Sequence, residues 1–323
     1  MLRPIILILL LSSFNPLAKS QEKSGITYIH EERLSLSARL IPKIMAISNQ
    51  KKRFDRDIAA KSFNQKAAEP SKAMKKRFDI SESLQNDRRI WSIKPLQSAT
   101  EKVVVYLHGG AYVYNLTKYH WDLIDELIIK TNASFIVPDY PLAPEYTYKD
   151  VYEFFSNLYL ELLSGTLPQN IIFMGDSAGG GLALGFSMFL RNESISLPAG
   201  VILLSPWLDI SMSNPDILVK DKKDKILGVK GLELAAGYYA GETDLKQYKL
   251  SPIYGDLSGL PEISVFTATH DLCYPDILKF KQQMDKHNIP INYFEYPQMF
   301  HAWMIIINLR ESRHAIEQIS KIY

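Results

Sequence analysis

The chain has 323 residues, of which 46% are hydrophobic and 22% charged, so it can bury a large core and is expected to be globular. Its 37 basic and 35 acidic side chains give a net charge of +2, too small to indicate nucleic acid or an anionic membrane as the main partner. A single cysteine excludes an intramolecular disulfide and a cysteine-rich metal site, and no metal, redox or nucleotide motif occurs, so we expect no cofactor and no bound metal.

The first 20 residues are typical of an export signal. Arg3 precedes an apolar run from Ile5 to Leu11, and the small residues Ala18 and Ser20 follow in the arrangement of a cleavage site. The run is too short to cross a bilayer, which takes about 20 apolar residues. We therefore expect an exported protein with a cleaved signal and no stable membrane anchor, and an uncleaved anchor is the alternative.

Residues 21–73 form a segment of different character, which we expect to be a helical cap segment ahead of the sheet. Its apolar residues share one helical stripe interrupted by a proline: Leu36, Leu40, Ile44 and Ile47. In sheets of this type ligands bind at the carboxyl ends of the strands, and we expect the segment to fold over that end.

A cap insertion is expected at about residues 211–250. It is charged and contains "GLELAAGYYAG", a short helical pattern that ends in glycine. Its run "KDKKDK" at 220–225, like "KKR" at 51–53 and at 75–77, is interpreted as solvated surface.

From residue 74 onward, eight segments have the composition of strands: "MKKRFDI", "RIWSIKP", "VVVYLH", "SFIVPDY", "IIFMGDS", "GVILLSP", "ISVFTAT" and "INYFEYP". Helical patterns separate most of the strands from the third onward, which predicts a mostly parallel eight-stranded sheet flanked by helices. Only "SESLQNDR" joins the first two strands, so these should pair antiparallel at one edge. Residues 74–323 are thus predicted to form one α/β domain.

The fifth predicted strand runs into "GDSAGGGLALGFSMFL", which contains G-x-S-x-G as Gly175, Ser177 and Gly179. On a sharp turn from strand to helix the serine is exposed, and small residues two before and two after it let the strand and helix cross. The start of the helix supplies amide donors and the positive end of a dipole, which favour the negative charge that builds up on attack. We interpret Ser177 as a nucleophile.

A serine hydroxyl needs a base to take its proton and an acid to orient that base. His301 follows the last predicted strand, at the same end of the sheet as Ser177, and Asp271 directly follows the seventh. Asp276 is expected to cap the next helix, and His270 points away from its neighbour Asp271. The order Ser177, Asp271, His301 is that of the α/β-hydrolases. Four other histidines are interpreted as surface or packing residues: His30, His120, His287 and His314.

The third predicted strand ends in His-Gly-Gly, and glycines allow the backbone to approach another group closely. In the α/β-hydrolase fold, the loop after the third strand supplies backbone N–H groups to the oxyanion. We expect the oxyanion hole to consist of the N–H groups of Gly109, Gly110 and Ala178.

The motifs "HGGAY", "DYPLAPE", "GDSAGGGLA", "SPWLD" and "FHAW" resemble, in order and spacing, those of the hormone-sensitive-lipase-like carboxylesterases of the α/β-hydrolase superfamily. The resemblance covers roughly residues 75–310. It implies a serine esterase acting on short to medium acyl esters, with a lid built from the N-terminal helical segment and from the insertion after the sixth strand. Three positions depart from the family pattern: Ala111 stands for a third glycine, Pro141 for an arginine, and "LCYPD" follows Asp271.

Two other functions remain open at this point. A non-catalytic binder could reuse the pocket of such a hydrolase, although it would not need the base. An amide or peptide hydrolase could use the same triad, because the leaving group depends on details of the pocket. The expected partner is a small acyl ester, and the sequence leaves the oligomeric state open.

Overall fold

The computed structural model describes residues 25–322, so the predicted export signal at 1–20 lies outside the described residues. Nine strands form one sheet: β1 Thr27–Ile29, β2 Phe78–Gln85, β3 Arg88–Pro95, β4 Val103–Leu107, β5 Ser134–Pro138, β6 Ile171–Asp176, β7 Gly200–Leu204, β8 Glu262–Ala268 and β9 Ile291–Tyr296. Their order across the sheet is β1-β9-β8-β7-β6-β4-β5-β3-β2.

The predicted α/β fold with a mostly parallel sheet is confirmed, and each of the eight predicted strands has a counterpart. The first begins only at Phe78, because Met74–Arg77 is a short helix. β2 and β3 pair antiparallel at one edge, as expected, and β3 is also antiparallel to β5. The number of strands was wrong by one, because β1 lies in the segment expected to be helical. It has only three residues, too few for a periodic pattern, and it becomes a strand by pairing in parallel with β9.

Ten helices occur within residues 25–322: α1 Leu36–Ile47, α2 Gln50–Ala59, α3 Met74–Arg77, α4 Lys118–Thr131, α5 Tyr148–Leu163, α6 Ala178–Asn192, α7 Ile217–Asp221, α8 Val229–Ala240, α9 Tyr274–Lys286 and α10 Arg310–Ile319. None of these helices has the length and apolar character needed to cross a bilayer.

The strands in the middle of the sheet are buried on both faces. In β4, Val105 and Leu107 point into one hydrophobic core, which α5, α6 and α8 complete. Val104 and Tyr106 point into a second core on the opposite face, with α4 and α10. Because alternate side chains of β4 point to opposite faces and both faces are buried, every position of the strand is apolar.

The N-terminal helices contact the helices of the insertion. Asp55 of α2 accepts a hydrogen bond from the backbone N–H of Gly231 in α8 at 2.8 Å. Lys51 of α2 forms an ion pair with Asp221 of α7. Two segments that are far apart in the sequence therefore meet beside the carboxyl ends of the strands.

Candidate active site

Ser177 lies on the turn between β6 and α6 in a strained backbone conformation, with φ 52° and ψ −119°. Its N–H donates to the carbonyl of Leu204 at 2.9 Å, and its own carbonyl accepts from Trp207 N–H at 2.8 Å. A side chain at Gly179 would overlap the carbonyl oxygen of Leu107, so the start of α6 can pass β4 only because this residue is glycine. The local sequence thus dictates a tight turn with the hydroxyl at its tip.

The structure brings the three predicted site residues together. The Ser177 hydroxyl is 2.9 Å from His301 Nε2, within hydrogen-bond distance. On the other side of the ring, His301 Nδ1 lies 2.9 Å from Asp271 Oδ1. Since a carboxylate only accepts, Nδ1 carries the ring proton and Nε2 is free to accept the hydroxyl proton.

The surroundings of His301 favour its charged form. Burial opposes the charge on the imidazolium, but the Asp271 carboxylate and, more weakly, Asp224 and Asp176 outweigh burial and raise the pKa of His301 above its ordinary value. Asp271 is fully buried, and its Oδ1 also accepts the N–H of Cys273 at 2.8 Å. The base is therefore held in place by an acid that is itself fixed by the backbone.

Asp224 is a second buried carboxylate beside the triad, and the interpretation of "KDKKDK" as solvated surface is wrong at this residue. Its side chain is buried and accepts three backbone N–H groups, from Ile226 and Leu227 at Oδ1 and from Leu272 at Oδ2. Burial, and then the charge of Asp271, raise the pKa of Asp224. It ties the insertion to the loop that carries Asp271.

The predicted oxyanion hole needs one correction. The N–H of Gly109 donates to Asp176 Oδ1 at 2.9 Å, and it therefore points at a carboxylate and not at the pocket. Gly110 and Ala111 line the pocket beside Ser177, and within residues 25–322 neither their N–H groups nor that of Ala178 donates to a protein acceptor. The N–H group of Ala111 is therefore available beside Ser177, whereas that of Gly109 is not.

Glycine at position 109 has another cause, since a Cβ there would overlap Asp176 Oδ2. Asp176 also accepts from the Tyr106 hydroxyl at 2.7 Å, and His120 Nε2 lies 3.5 Å from it. Burial opposes ionisation of Asp176, but His120 and these hydrogen bonds together lower its pKa. Sequence reasoning missed this network. His120, interpreted as a surface or packing residue, is buried and also lines the pocket.

The pocket above Ser177 is a cavity of about 440 Å³. Its walls come from the nucleophile turn, from α1 and α2, from the loop between β4 and α4, from the insertion and from the residues after β9, and they are largely apolar. Residues outside the nucleophile turn include Met45, Phe54, Tyr114, Ile226, Leu227, Phe300 and Ile305. A cavity of this size with a few convergent polar groups is typical of a site for a small ligand.

One group of three potential metal ligands occurs within the described residues: Asp271, Cys273 and His301. Burial raises the pKa of the Cys273 thiol well above its ordinary value, which opposes formation of the thiolate that metal ligation requires. Asp271 and His301 are hydrogen-bonded to each other, so the cluster does not have the chemistry of a metal site.

A serine on a strand-to-helix turn, paired with a buried histidine and aspartate at the carboxyl ends of a parallel sheet, defines the class of the α/β-fold hydrolases. A family model described as alpha/beta hydrolase fold matches residues 104–305. An "Esterase" of Acinetobacter venetianus is 30% identical over 238 residues, which cover 71% of this chain and 76% of that protein. An "Acetyl-hydrolase" of Streptomyces hygroscopicus is 30% identical over 218 residues, 67% of this chain and 73% of that protein.

Among solved structures, an esterase from the bacterial hormone-sensitive lipase family shares the fold, with a TM-score of 0.75 at 21% identity over 90% of this chain and 98% of that chain. The chain belongs to the α/β-hydrolase family, and its predicted resemblance to the hormone-sensitive-lipase-like carboxylesterases is confirmed.

Proposed function

We propose that this carboxylic ester hydrolase is a serine esterase that cleaves short to medium acyl esters through an acyl-enzyme. The observation that carries the proposal is the unbroken hydrogen-bonded chain from Ser177 to His301 to Asp271, with 2.9 Å at each step, at the floor of the pocket. A hydroxyl, a free imidazole nitrogen and an orienting carboxylate in this order are what nucleophilic acyl transfer requires.

In the proposed reaction, Ser177 Oγ attacks the ester carbonyl carbon while its proton passes to His301 Nε2. Asp271 stabilises the imidazolium that forms. The carbonyl oxygen becomes an oxyanion that accepts from the N–H groups of Gly110, Ala111 and Ala178. Collapse expels the alcohol, which takes the proton from His301, and a water molecule activated by the same histidine then hydrolyses the acyl-enzyme.

The size and the lining of the pocket support short to medium acyl groups. Its volume of about 440 Å³ limits the size of the acyl group that it can hold. Apolar side chains from several parts of the chain line it. Met45 and Phe54 of the N-terminal helices and Leu227 of the insertion all face it. We propose that these two segments act together as a cap, and that their apolar residues select the acyl chain.

We also propose that residues 1–20 direct export and are then removed. The composition of this stretch supports the proposal. N-terminal sequencing of protein collected outside the cytoplasm checks it, and a mature chain that begins at Met1 would overturn it.

Hydrolysis of p-nitrophenyl esters from acetyl to palmitoyl tests the activity. We expect turnover to peak at short or medium chains and to fall by on the order of 10⁴-fold or more in Ser177→Ala, because the nucleophile is lost. Ser187→Ala is the matched control, since Ser187 is also buried on α6 but donates to the carbonyl of Ala183.

Equal turnover in Ser177→Ala and Ser187→Ala would contradict the serine mechanism. If folded wild-type protein cleaved p-nitroanilides and no ester, an amide hydrolase would replace the esterase. If it cleaved neither, a ligand-binding role would be favoured, because all the groups required for acyl transfer would be present without turnover.

A further inference from the structure

The outer face of α1 carries an exposed apolar stripe. Leu36, Leu40, Ile44 and Ile47 are 72%, 51%, 61% and 82% exposed, respectively. The spacing of these residues, at every third or fourth position, places them on one side of a helix. Single exposed leucines are ordinary on a soluble protein, but a row of four along one helix indicates a surface that contacts another phase or molecule.

This stripe belongs to a helix that is fixed to the core. Ser35 at its start donates to the buried carboxylate of Glu311, from N at 2.6 Å and from Oγ at 2.9 Å. On the inner face, Ala38 is buried and Ile41 packs against one of the two cores. α1 also continues through Pro42 without a break. The protein therefore holds the stripe outward and does not cover it with its own described residues.

Basic residues lie beside the stripe and follow it in the sequence. Residues 33–54 contain six basic side chains and no acidic one. Arg39 and Lys43 lie on α1 next to Leu40 and Ile44, and within residues 25–322 no carboxylate lies at ion-pair distance from either cation. This local charge differs from the balance of the whole chain, which has a net charge of only +2.

Charge selects the partner for this surface. A second copy of the chain would bring like charges together along the same face, which is unfavourable. A neutral apolar partner would leave the cations unmatched. An anionic lipid surface matches both the apolar stripe and the cations beside it. The leucine and isoleucine side chains insert at the boundary between headgroups and acyl chains, and the lipid phosphate groups pair with the basic side chains.

The N-terminal helices also line the pocket. Met45 of α1, and Gln50 and Arg53 of α2, line the cavity above Ser177. The residues of the stripe do not line it, so α1 presents its apolar face outward while Met45 and α2 close the pocket. A surface bound by α1 would therefore lie beside the entrance to the site.

We propose that α1 docks the protein on anionic lipid surfaces, with Leu36, Leu40, Ile44 and Ile47 inserted at the boundary between headgroups and acyl chains. Docking is a binding property and does not depend on the proposed esterase mechanism. It brings the pocket to the place where esters of low water solubility are concentrated.

Sedimentation of the full chain with vesicles tests the proposal. Vesicles of phosphatidylcholine alone are compared with vesicles that also contain phosphatidylglycerol. We expect binding to the anionic vesicles that weakens as salt is added, because surface charges are screened. The variant Ile44→Ser/Ile47→Ser should bind roughly 10- to 100-fold more weakly, since two apolar side chains no longer insert.

The matched control is Leu84→Ser/Leu160→Ser, which removes two apolar side chains that are 70% and 51% exposed in β2 and α5. It should bind like the wild type. Residues 1–24 are the same in all variants, so a difference between variants comes from the substitutions. Thermal unfolding shows that each variant is folded.

Equal binding by the stripe variant and the control would overturn the proposal, as would no binding of the wild type to anionic vesicles. Size-exclusion chromatography provides the remaining test. A dimer that forms with rising concentration and is lost in Ile44→Ser/Ile47→Ser, without vesicle binding, would assign the stripe to self-association and would also overturn the proposal.

Discussion

The turn that presents Ser177 and the cover beside it, formed by α1, α2 and the insertion, are held in different ways. Around the turn, the contacts are made by backbone: Ser177 N–H to the carbonyl of Leu204, and Gly179 against the carbonyl of Leu107. The covering helices are held by side chains, such as Asp55 on Gly231 N–H. Contacts made by the backbone do not tolerate an added side chain, whereas a contact made by a side chain can be removed by a single substitution. We infer that chemistry depends on the turn and selectivity on the cover.

The strongest test on the side of the chemistry is Asp271→Asn. Without the carboxylate, His301 loses the partner that holds its Nδ1 proton, and the wrong tautomer faces Ser177. We expect turnover to fall by about 10⁴-fold with little change in KM, measured on a short p-nitrophenyl ester. Asp276→Asn is the control, because Asp276 is also buried after β8 but binds Asn214 Nδ2 at 2.8 Å. Equal losses in both variants would contradict the assignment.

The pH profile follows from the same contact. Because its pKa is raised, His301 becomes protonated at a higher pH than an ordinary imidazole, and the protonated ring cannot accept the hydroxyl proton. In the wild type, kcat/KM should therefore fall as the pH drops through that raised pKa. Loss of the carboxylate lowers the pKa, so the residual activity of Asp271→Asn should persist to lower pH. An unchanged acid limb would argue against this coupling.

Two glycine substitutions compare the turn with the cover directly. Gly179→Ala places a Cβ on the carbonyl oxygen of Leu107, so we expect the free energy of unfolding to fall by roughly 3 kcal/mol or more, or the protein not to fold. Gly237→Ala on α8 has open space at its Cβ and should stabilise the protein by about 0.5–1 kcal/mol. Urea unfolding measures both values, and a similar loss in the two variants would remove the distinction.

Asp224→Asn tests the point where the two regions join. Asparagine keeps only one acceptor oxygen, so at least one of the three hydrogen bonds from backbone N–H groups is lost. We expect the free energy of unfolding to fall by about 1–3 kcal/mol. Removal of the charge should also shift the acid limb of kcat/KM to lower pH, because Asp224 helps to raise the pKa of His301. Asp221→Asn, in the same charged run, breaks an ion pair with Lys51 and should cost under about 1 kcal/mol. If Asp221→Asn had the larger effect, Asp224 would not be the link.

The smallest effect is expected for Asp55→Ala in the cover. It removes the acceptor for Gly231 N–H between α2 and α8, and we expect a loss of about 0.5–1.5 kcal/mol in the free energy of unfolding. The preferred acyl length should broaden while turnover of the acetyl ester changes little, since the triad is not touched. A loss of turnover as large as that of Asp271→Asn would show that the cover also holds the triad.

Most errors of sequence reasoning concerned contacts between distant segments; the helix at Met74–Arg77, predicted as the start of a strand, is a local error. β1 is too short to carry a pattern and is a strand only because β9 lies beside it. Adjacent amides at 109–111 look alike in sequence, and Asp176 decides which of them is used elsewhere. Asp224 reads as part of a charged surface run until Leu272, 48 residues further on, is seen to donate to it.

The sequence by itself determined the α/β architecture and predicted Ser177, Asp271 and His301 as the catalytic residues. It could do so because strand composition and helix periodicity are local, and parallel strands bring the residues that follow them to one edge of the sheet. Only the tertiary structure decided that the N–H of Gly109 donates to Asp176, that Asp224 links the insertion to the loop of Asp271, and that the apolar stripe of α1 faces outward. Each of these depends on which distant groups pack together, and a local pattern carries no information about that.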